Sequence, residues 1–239
     1  MKEQKTYSYT KLDRPQNKGS AQLFKNPVLE KLTHTHILAP IIVFALVATG
    51  LIYYGITEKG FNAWQMALLF LAGMFVFSLV EYLMHRYVYH IPITNEFRRK
   101  LSYTMHGNHH DYPKDKKRLA MPPLLGLILA TVLYLFFWIF LRSYTYGFLA
   151  GFVIGYASYI GIHYIIHAYR IPNNFFRVLW NHHSIHHYRE DDRAFGVSSP
   201  FWDHVFGTMP RKGEELIAYR KAQREQKKKE KALQRDISA

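Results

Sequence analysis

The chain contains no cysteine. That excludes disulfides, thiolate metal sites and thiol nucleophiles, and leaves the redox compartment open. Acidic residues are few: 17 Asp and Glu stand against 31 Lys and Arg, a formal net charge of +14 over 239 residues. Charge of either sign is missing from four long stretches, 37–57, 61–80, 119–141 and 143–162. The opening segment MKEQKTYSYTKLDRPQNKGS is polar throughout, so no cleavable leader is expected there. Zinc-finger and RNP patterns are also missing, and the basic residues flank apolar stretches. The positive charge is therefore assigned to a membrane face and not to nucleic acid.

What is present is a segregation that a mean hydropathy of −0.15 conceals. A helix needs roughly 20 apolar residues to cross a bilayer, and each uncharged stretch supplies about that many. Glu58-Lys59-Gly60 joins the first two stretches, and Arg142 the last two. Both joints are too short for anything but a hairpin turn. The expected fold is all-α and multi-pass: four transmembrane helices in two hairpins, with spans at about 37–57, 61–84, 119–141 and 143–166. Seven Lys and Arg precede the first span, eight lie between His85 and Arg118, and fourteen follow the last span, 29 of the 31 on one face. The positive-inside rule makes that face cytoplasmic, with both termini on it. Segment 1–36 is expected to be cytoplasmic, 37–210 an integrated membrane domain, and 211–239 a basic tail, either a solvated helix or a disordered extension. In a bacterium this implies the cytoplasmic membrane, in a eukaryote the endoplasmic reticulum. Tyr53, Tyr54, Trp64, Tyr144 and Tyr146 lie at span ends, as interfacial aromatics do.

Ten of the 14 histidines fall into four groups at the cytoplasmic ends of spans. His85 and His90 are followed, after 15 residues, by His106, His109 and His110. His163 and His167 are followed, again after 15, by His183, His186 and His187. Ile-Pro follows each pair, at 91–92 and 171–172, so the pattern is a loose internal repeat. Positions i, i+3 and i+4 share a helix face. The i, i+5 spacing of His85 and His90 puts them about 140° apart on a regular helix. Either the helix breaks between them or they serve different metals, and the following proline favours a break. Imidazole suits Fe, Zn, Cu and Ni. Zinc implies hydrolysis or a structural role, whereas iron activates O₂. Ten imidazoles supply two ions with about five each. A metal store or transporter would place its ligands at mid-membrane depth instead.

The segments SLVEYLMHRYVYH, MHGNHH, RLAMPP, HYIIH, HHSIHH and FGVSSPFWDHVFGT, with LFKNPVLEKLT before them, resemble the fatty acid hydroxylase superfamily. They most resemble its fatty-acid (sphingolipid) 2-hydroxylase branch, over residues 20–210. The resemblance implies that the ten grouped histidines ligate two iron ions, replaceable by zinc in isolated protein. It also implies O₂-dependent hydroxylation at C2 of a lipid acyl chain. Sterol or carotenoid oxidation on the same scaffold is the alternative, followed by a zinc hydrolase or a metal-binding membrane protein. No His-Pro-Gly-Gly haem motif occurs, so no haem is expected, and electrons are expected from a separate cytochrome b5-like or ferredoxin-like protein.

Among the remaining residues, Glu81 lies one turn before His85 and is the candidate acceptor for the outer N–H of a ligand imidazole. Asp111, Asp191, Asp192 and Asp203 are weaker candidates, expected to be solvated or capping. His182 is expected not to be a ligand, His204 to be structural, and His34 and His36 to be interfacial. Asn108 is a possible polar helper in the site.

Overall fold

The computed structural model describes residues 10–238 apart from position 13. The first nine residues of the expected N-terminal segment and the last of the expected tail lie outside the described residues. The described elements are all helical. They are α1 (Pro27–Leu32), α2 (Leu38–Thr57), α3 (Ala63–Leu83), α4 (Glu96–Ser102), α5 (Asn108–Asp111), α6 (Pro123–Leu141), α7 (Thr145–Ala168), α8 (Arg177–Tyr188), α9 (Phe201–Val205) and α10 (Gly213–Ser238). Two compact units are formed, one through Thr208 and one from Met209 onward. The second is α10, so the basic tail is helical.

Local chemistry sets the helix ends. Asn62 and Gln65 form a reciprocal capping box at the start of α3. Asn26 caps α1, with Pro27 at its first position. Pro122 and Pro123 delay α6, which begins four residues later than the uncharged stretch suggested, because proline has no N–H and suits only the first turn. Among the described residues, three helical stretches are long and apolar enough to cross a membrane: Leu38–Thr57, Ala63–Tyr89 and Pro123–Ala168. The third is interrupted by a 3₁₀ turn at Arg142–Tyr144, where Arg142 has φ +50°. Beyond that turn the chain doubles back. Phe137 meets the rings of Phe148 at 4.9 Å and Phe152 at 5.6 Å, whereas 15 residues of straight helix would span about 22 Å.

Helices α3 and α7 run side by side in the same direction and approach very closely. A Cβ on Gly73 would lie 1.9 Å from the Phe148 carbonyl oxygen, and one on Gly151 would lie 1.8 Å from that of Phe70. Gly147 and Gly155, one turn either side of Gly151, face Leu69 and Phe77. This small-xxx-small seam lets backbones touch, as membrane helices do where burial from lipid offers no apolar gain. On α7's other flanks α2 and α6 run antiparallel to it: Phe44 packs edge-on against Tyr156, and the tilted ring of Tyr54 lies 5.0 Å from that of Tyr146. The outer faces of α2 and α6 leave Leu46, Leu124, Leu135 and Phe140 exposed, as in a bundle solvated by hydrocarbon. Tyr53, Tyr54, Trp64 and Tyr144 are exposed, but Tyr146 is buried, with its hydroxyl accepting a hydrogen bond from Tyr134. Tyr146 is thus a packing residue and not an interfacial one. Because α3 and α7 are parallel, His85 and His163 emerge at the same end of the bundle.

Candidate metal centre

The first histidine pair is brought together without a helix break. Residues Met84–Tyr89 continue α3 as a π-turn, and the His90 N–H donates to the His85 carbonyl at 3.2 Å. Widening the turn to i→i+5 brings residues five apart to neighbouring positions. The two rings lie 5.2 Å apart, in one group. Both readings of the i, i+5 spacing, a break or separate metals, are therefore replaced by a wide turn. A second π-turn, Tyr103–Gly107, precedes His109. There Asn108 donates to the carbonyls of Tyr103 and Thr104 at 3.0 and 2.9 Å, so it serves the widened backbone rather than the site's interior.

The ten histidines form two adjacent groups of five. One contains His85, His90, His106, His110 and His186; the other contains His109, His163, His167, His183 and His187. Within each group one ligand atom per residue lies within 4.8 Å of all the others. Neighbouring Nε2 atoms are 3.0 Å apart in His85–His106, His106–His110 and His90–His186. In the other group they are 2.8–3.1 Å apart, in His167–His183, His183–His187, His109–His167 and His163–His167. His110 and His187 stack at 4.3 Å across the boundary.

The division does not follow the sequence groups. In each His-x-x-His-His segment the first and last histidines join the pair of their own half, and the middle one crosses over. His109 goes to the second group and His186 to the first. Helix geometry supplies the reason: relative to residue i, position i+4 lies about 40° to one side and i+3 about 60° to the other. Two rings aim at one point and the third at its neighbour.

Burial and tautomer make these imidazoles metal ligands in waiting. Burial first, and the neighbouring imidazoles next, hold His106, His109, His110, His183 and His187 well below the usual histidine range. Burial takes His186 down to about 4. Neutral rings keep a lone pair. The His85 Nδ1–H donates to the Phe195 carbonyl at 2.5 Å, and the His186 Nδ1–H to the Arg193 carbonyl at 2.8 Å. A carbonyl can only accept, so the proton sits on Nδ1 and the Nε2 lone pair faces the group. Lone pairs converging at 3 Å repel unless a cation lies between them. A donor set made only of neutral nitrogen fits divalent transition metals, and with ~2.1 Å metal–nitrogen bonds, right-angle ligands sit ~3.0 Å apart.

The loop that carries those carbonyls is held by two buried carboxylates. Glu81 accepts from the N–H groups of Val197 and Ser198, both at 2.9 Å, and from the Ser198 hydroxyl. It therefore does not take the outer N–H of a ligand ring; the Phe195 carbonyl does that for His85. Asp203, fully buried and not solvated, accepts from Phe195 N at 2.9 Å, Gly196 N at 2.7 Å and the Thr208 hydroxyl at 2.6 Å. It also accepts from His182 Nε2 at 2.9 Å, which puts His182 outside both groups. Burial raises the Asp203 pKa, but the bonds from His182, Thr208 and Gly196 outweigh it and leave it lowered. Asp111 is likewise buried, not solvated, and accepts from the N–H groups of Lys11 and Leu12. His34, His36 and His204 are exposed.

The sequence profile described as fatty acid hydroxylase matches residues 70–208, the stretch that holds both histidine groups and the supporting loop. The chain belongs to the fatty acid hydroxylase family. It is 39% identical over 196 residues to the Schizosaccharomyces pombe ceramide very long chain fatty acid hydroxylase, covering 80% of this chain and 55% of the relative. It is 33% identical over 154 residues to an Arabidopsis thaliana dihydroceramide fatty acyl 2-hydroxylase, covering 64% and 65%. A solved structure of full-length scs7p, with only its hydroxylase domain visible, superposes with a TM-score of 0.74 at 35% identity. It covers 81% of this chain and 74% of that one. The chain spans about half the length of the Schizosaccharomyces pombe relative and of the Saccharomyces cerevisiae ceramide very long chain fatty acid hydroxylase, to which it is 36% identical over 211 residues, covering 85% of this chain and 54% of that one. Within this hydroxylase family the two five-histidine groups are able to hold metal ions.

Proposed function

We propose that this chain is an O₂-dependent lipid hydroxylase acting at C2 of the acyl chain of a sphingolipid or related lipid, with the ten grouped histidines holding two iron ions. The observation that carries this reading is the convergence of five neutral imidazoles on each of two adjacent points, with nitrogens 2.8–3.1 Å apart. Five ligands exceed the four of a structural zinc site, and the right-angle spacing leaves a coordination position open. The names of the relatives support the acyl substrate and the C2 position. Iron supplies the O₂ and one-electron chemistry that an unactivated C–H bond requires. One O₂, two electrons and two protons convert C–H to C–OH and release water. A separate cytochrome b5-like or ferredoxin-like protein delivers the electrons. The chain's own residues hold the ions, keep the rings neutral, and bury the site so that water is excluded.

The same reading has four spans in two hairpins within an integrated domain at 37–210, and both termini and the histidines on the cytoplasmic side. The folding back of α6 on α7 and the 29-of-31 charge asymmetry support it. Because the site lies at the ends of α3 and α7, it meets C2 next to a lipid headgroup at the bilayer surface. Expression with an electron donor under ¹⁸O₂ should place label in 2-hydroxy acyl chains, read by mass spectrometry of the lipids. Label in a sterol or carotenoid would reassign the substrate, and no label in a metal-loaded, reduced sample would rule out the oxygenase. For the topology, the cysteine-free chain allows single reporters. In sealed vesicles, Lys116→Cys and Lys212→Cys should react with an impermeant maleimide from the cytoplasmic side, and Lys59→Cys and Tyr144→Cys only from the other. Reaction of Lys59→Cys on the same side as Lys116→Cys overturns the hairpins.

A further inference from the structure

The two histidine groups are alike in composition but not in support. In the first group, His85 and His186 each donate their outer N–H to a backbone carbonyl of one loop. Between those two carbonyls lies Ala194, fully buried and held at φ +59°. That left-handed conformation is costly for a residue with a Cβ and persists only where its surroundings enforce it. The surroundings here are explicit. The Ala194 N–H donates to the Thr208 carbonyl at 2.9 Å, and the Thr208 N–H donates to the Asp203 carbonyl at 2.8 Å. Asp203 forks to Phe195 and Gly196, and Glu81 forks to Val197 and Ser198. Gly196 has room for nothing larger: a Cβ there would lie 2.1 Å from the Ser199 carbonyl oxygen. Every residue from 194 to 198 is thus tied down, and the carbonyls at 193 and 195 have fixed directions.

The second group contrasts with this. His163, His183 and His187 are buried, and their outer Nδ1 atoms have no partner among the described residues. Metal-bound imidazoles ordinarily donate that N–H to a carbonyl or carboxylate, which fixes the tautomer and raises basicity. Losing such a partner costs about 10–100-fold in metal affinity.

We infer that the two groups hold their metals unequally, with the ion among His85, His90, His106, His110 and His186 retained and the ion among His109, His163, His167, His183 and His187 exchangeable. Glu81, Asp203 and Ala194 are positioning residues for the first ion, acting through the backbone of 193–199. This rests on the two-metal reading above. The 193–199 loop then works as a brace that fixes one ion while its neighbour remains able to change ligands.

The test uses the full chain in detergent, loaded with ferrous iron in the absence of oxygen and challenged with a coloured ferrous chelator. Two phases of equal amplitude are expected, the slow one at least about 10-fold slower. His163→Ala should abolish the fast phase and His90→Ala the slow one. Glu81→Gln and Asp203→Asn should speed the slow phase about 10-fold or more and leave the fast phase unchanged, which a general loosening of the fold would not do. Ala194→Gly keeps every bond named above and frees only the turn; it should speed the slow phase alone, even if the carboxylate variants do not fold. A single phase releasing two ions, or a slow phase removed by His163→Ala, overturns the inequality and leaves the metal centre standing. A folded wild-type chain that takes up no iron overturns the metal centre itself.

Discussion

Replacing Gly151 with alanine should abolish folding, although it adds a single methyl group to a membrane helix. The new Cβ would sit 1.8 Å from the Phe70 carbonyl oxygen and 2.6 Å from its carbon. Those atoms are backbone, so no side chain can rotate aside, and α3 would have to separate from α7. That separation opens the seam that also holds Gly73, Gly147 and Gly155, and it moves the ends of α3 and α7 that carry His85 and His163. The cost is expected to exceed about 4 kcal/mol, the range in which single substitutions become diagnostic of core disruption. A monodisperse, metal-loaded peak on size exclusion should disappear. The matched control is Gly50→Ala on α2, where a Cβ meets nothing within 4 Å. It should fold at least as well as the parent, since alanine is favoured over glycine in a helix by about 1 kcal/mol. Equal behaviour of the two variants would mean that α3 and α7 are not in backbone contact.

These contacts show where sequence is legible and where it is not. The apolar helices stand out because a bilayer forbids unpaired charge, and missing charge is visible residue by residue. The glycine seam was not read from the sequence: Gly147, Gly151 and Gly155 stand at four-residue intervals, but only a packed partner distinguishes a contact seam from ordinary glycines. The four histidine groups were visible because metal ligation imposes spacing on side chains. The π-turns left one trace, the i, i+5 spacing of His85 and His90, which on a regular helix looks like a break. The braces of His85 and His186 left none. Their acceptors are the carbonyls of Phe195 and Arg193, and a carbonyl is common to every residue. Glu81 was legible as a carboxylate one turn before His85 and was expected to accept a ligand ring's outer N–H; that it grips the backbone at 197–198 instead depends on a contact more than 110 positions away.

The crossing of the middle histidines has the sharpest consequence for function. His186 sits in α8 between His183 and His187, yet its Nε2 lies 3.0 Å from that of His90, in the other half of the chain. His109 makes the reciprocal move, 3.1 Å from His167. Each group therefore needs both halves, and neither half is a complete metal site. On the proposed two-iron hydroxylase reading, His186→Ala should lower bound metal from two ions toward one and reduce hydroxylation by at least about 100-fold, beyond the usual effect of losing an outer partner. Double substitutions decide which group was damaged, because residues acting as a unit are not additive. His85→Ala with His186→Ala strikes one group twice, and should leave the second ion bound and lose little beyond either single change. His183→Ala with His186→Ala strikes both groups, and should leave no stoichiometric metal although the two residues are one turn apart. If the His183 pair retained one ion and the His85 pair retained none, the groups would follow the sequence repeat and the crossing would be wrong. The same logic makes His109→Ala with His163→Ala a one-ion variant and His109→Ala with His186→Ala a metal-free one. A centre built from two such groups assembles only when α3, α5, α7 and α8 are all in place, which would tie metal uptake to completion of the fold.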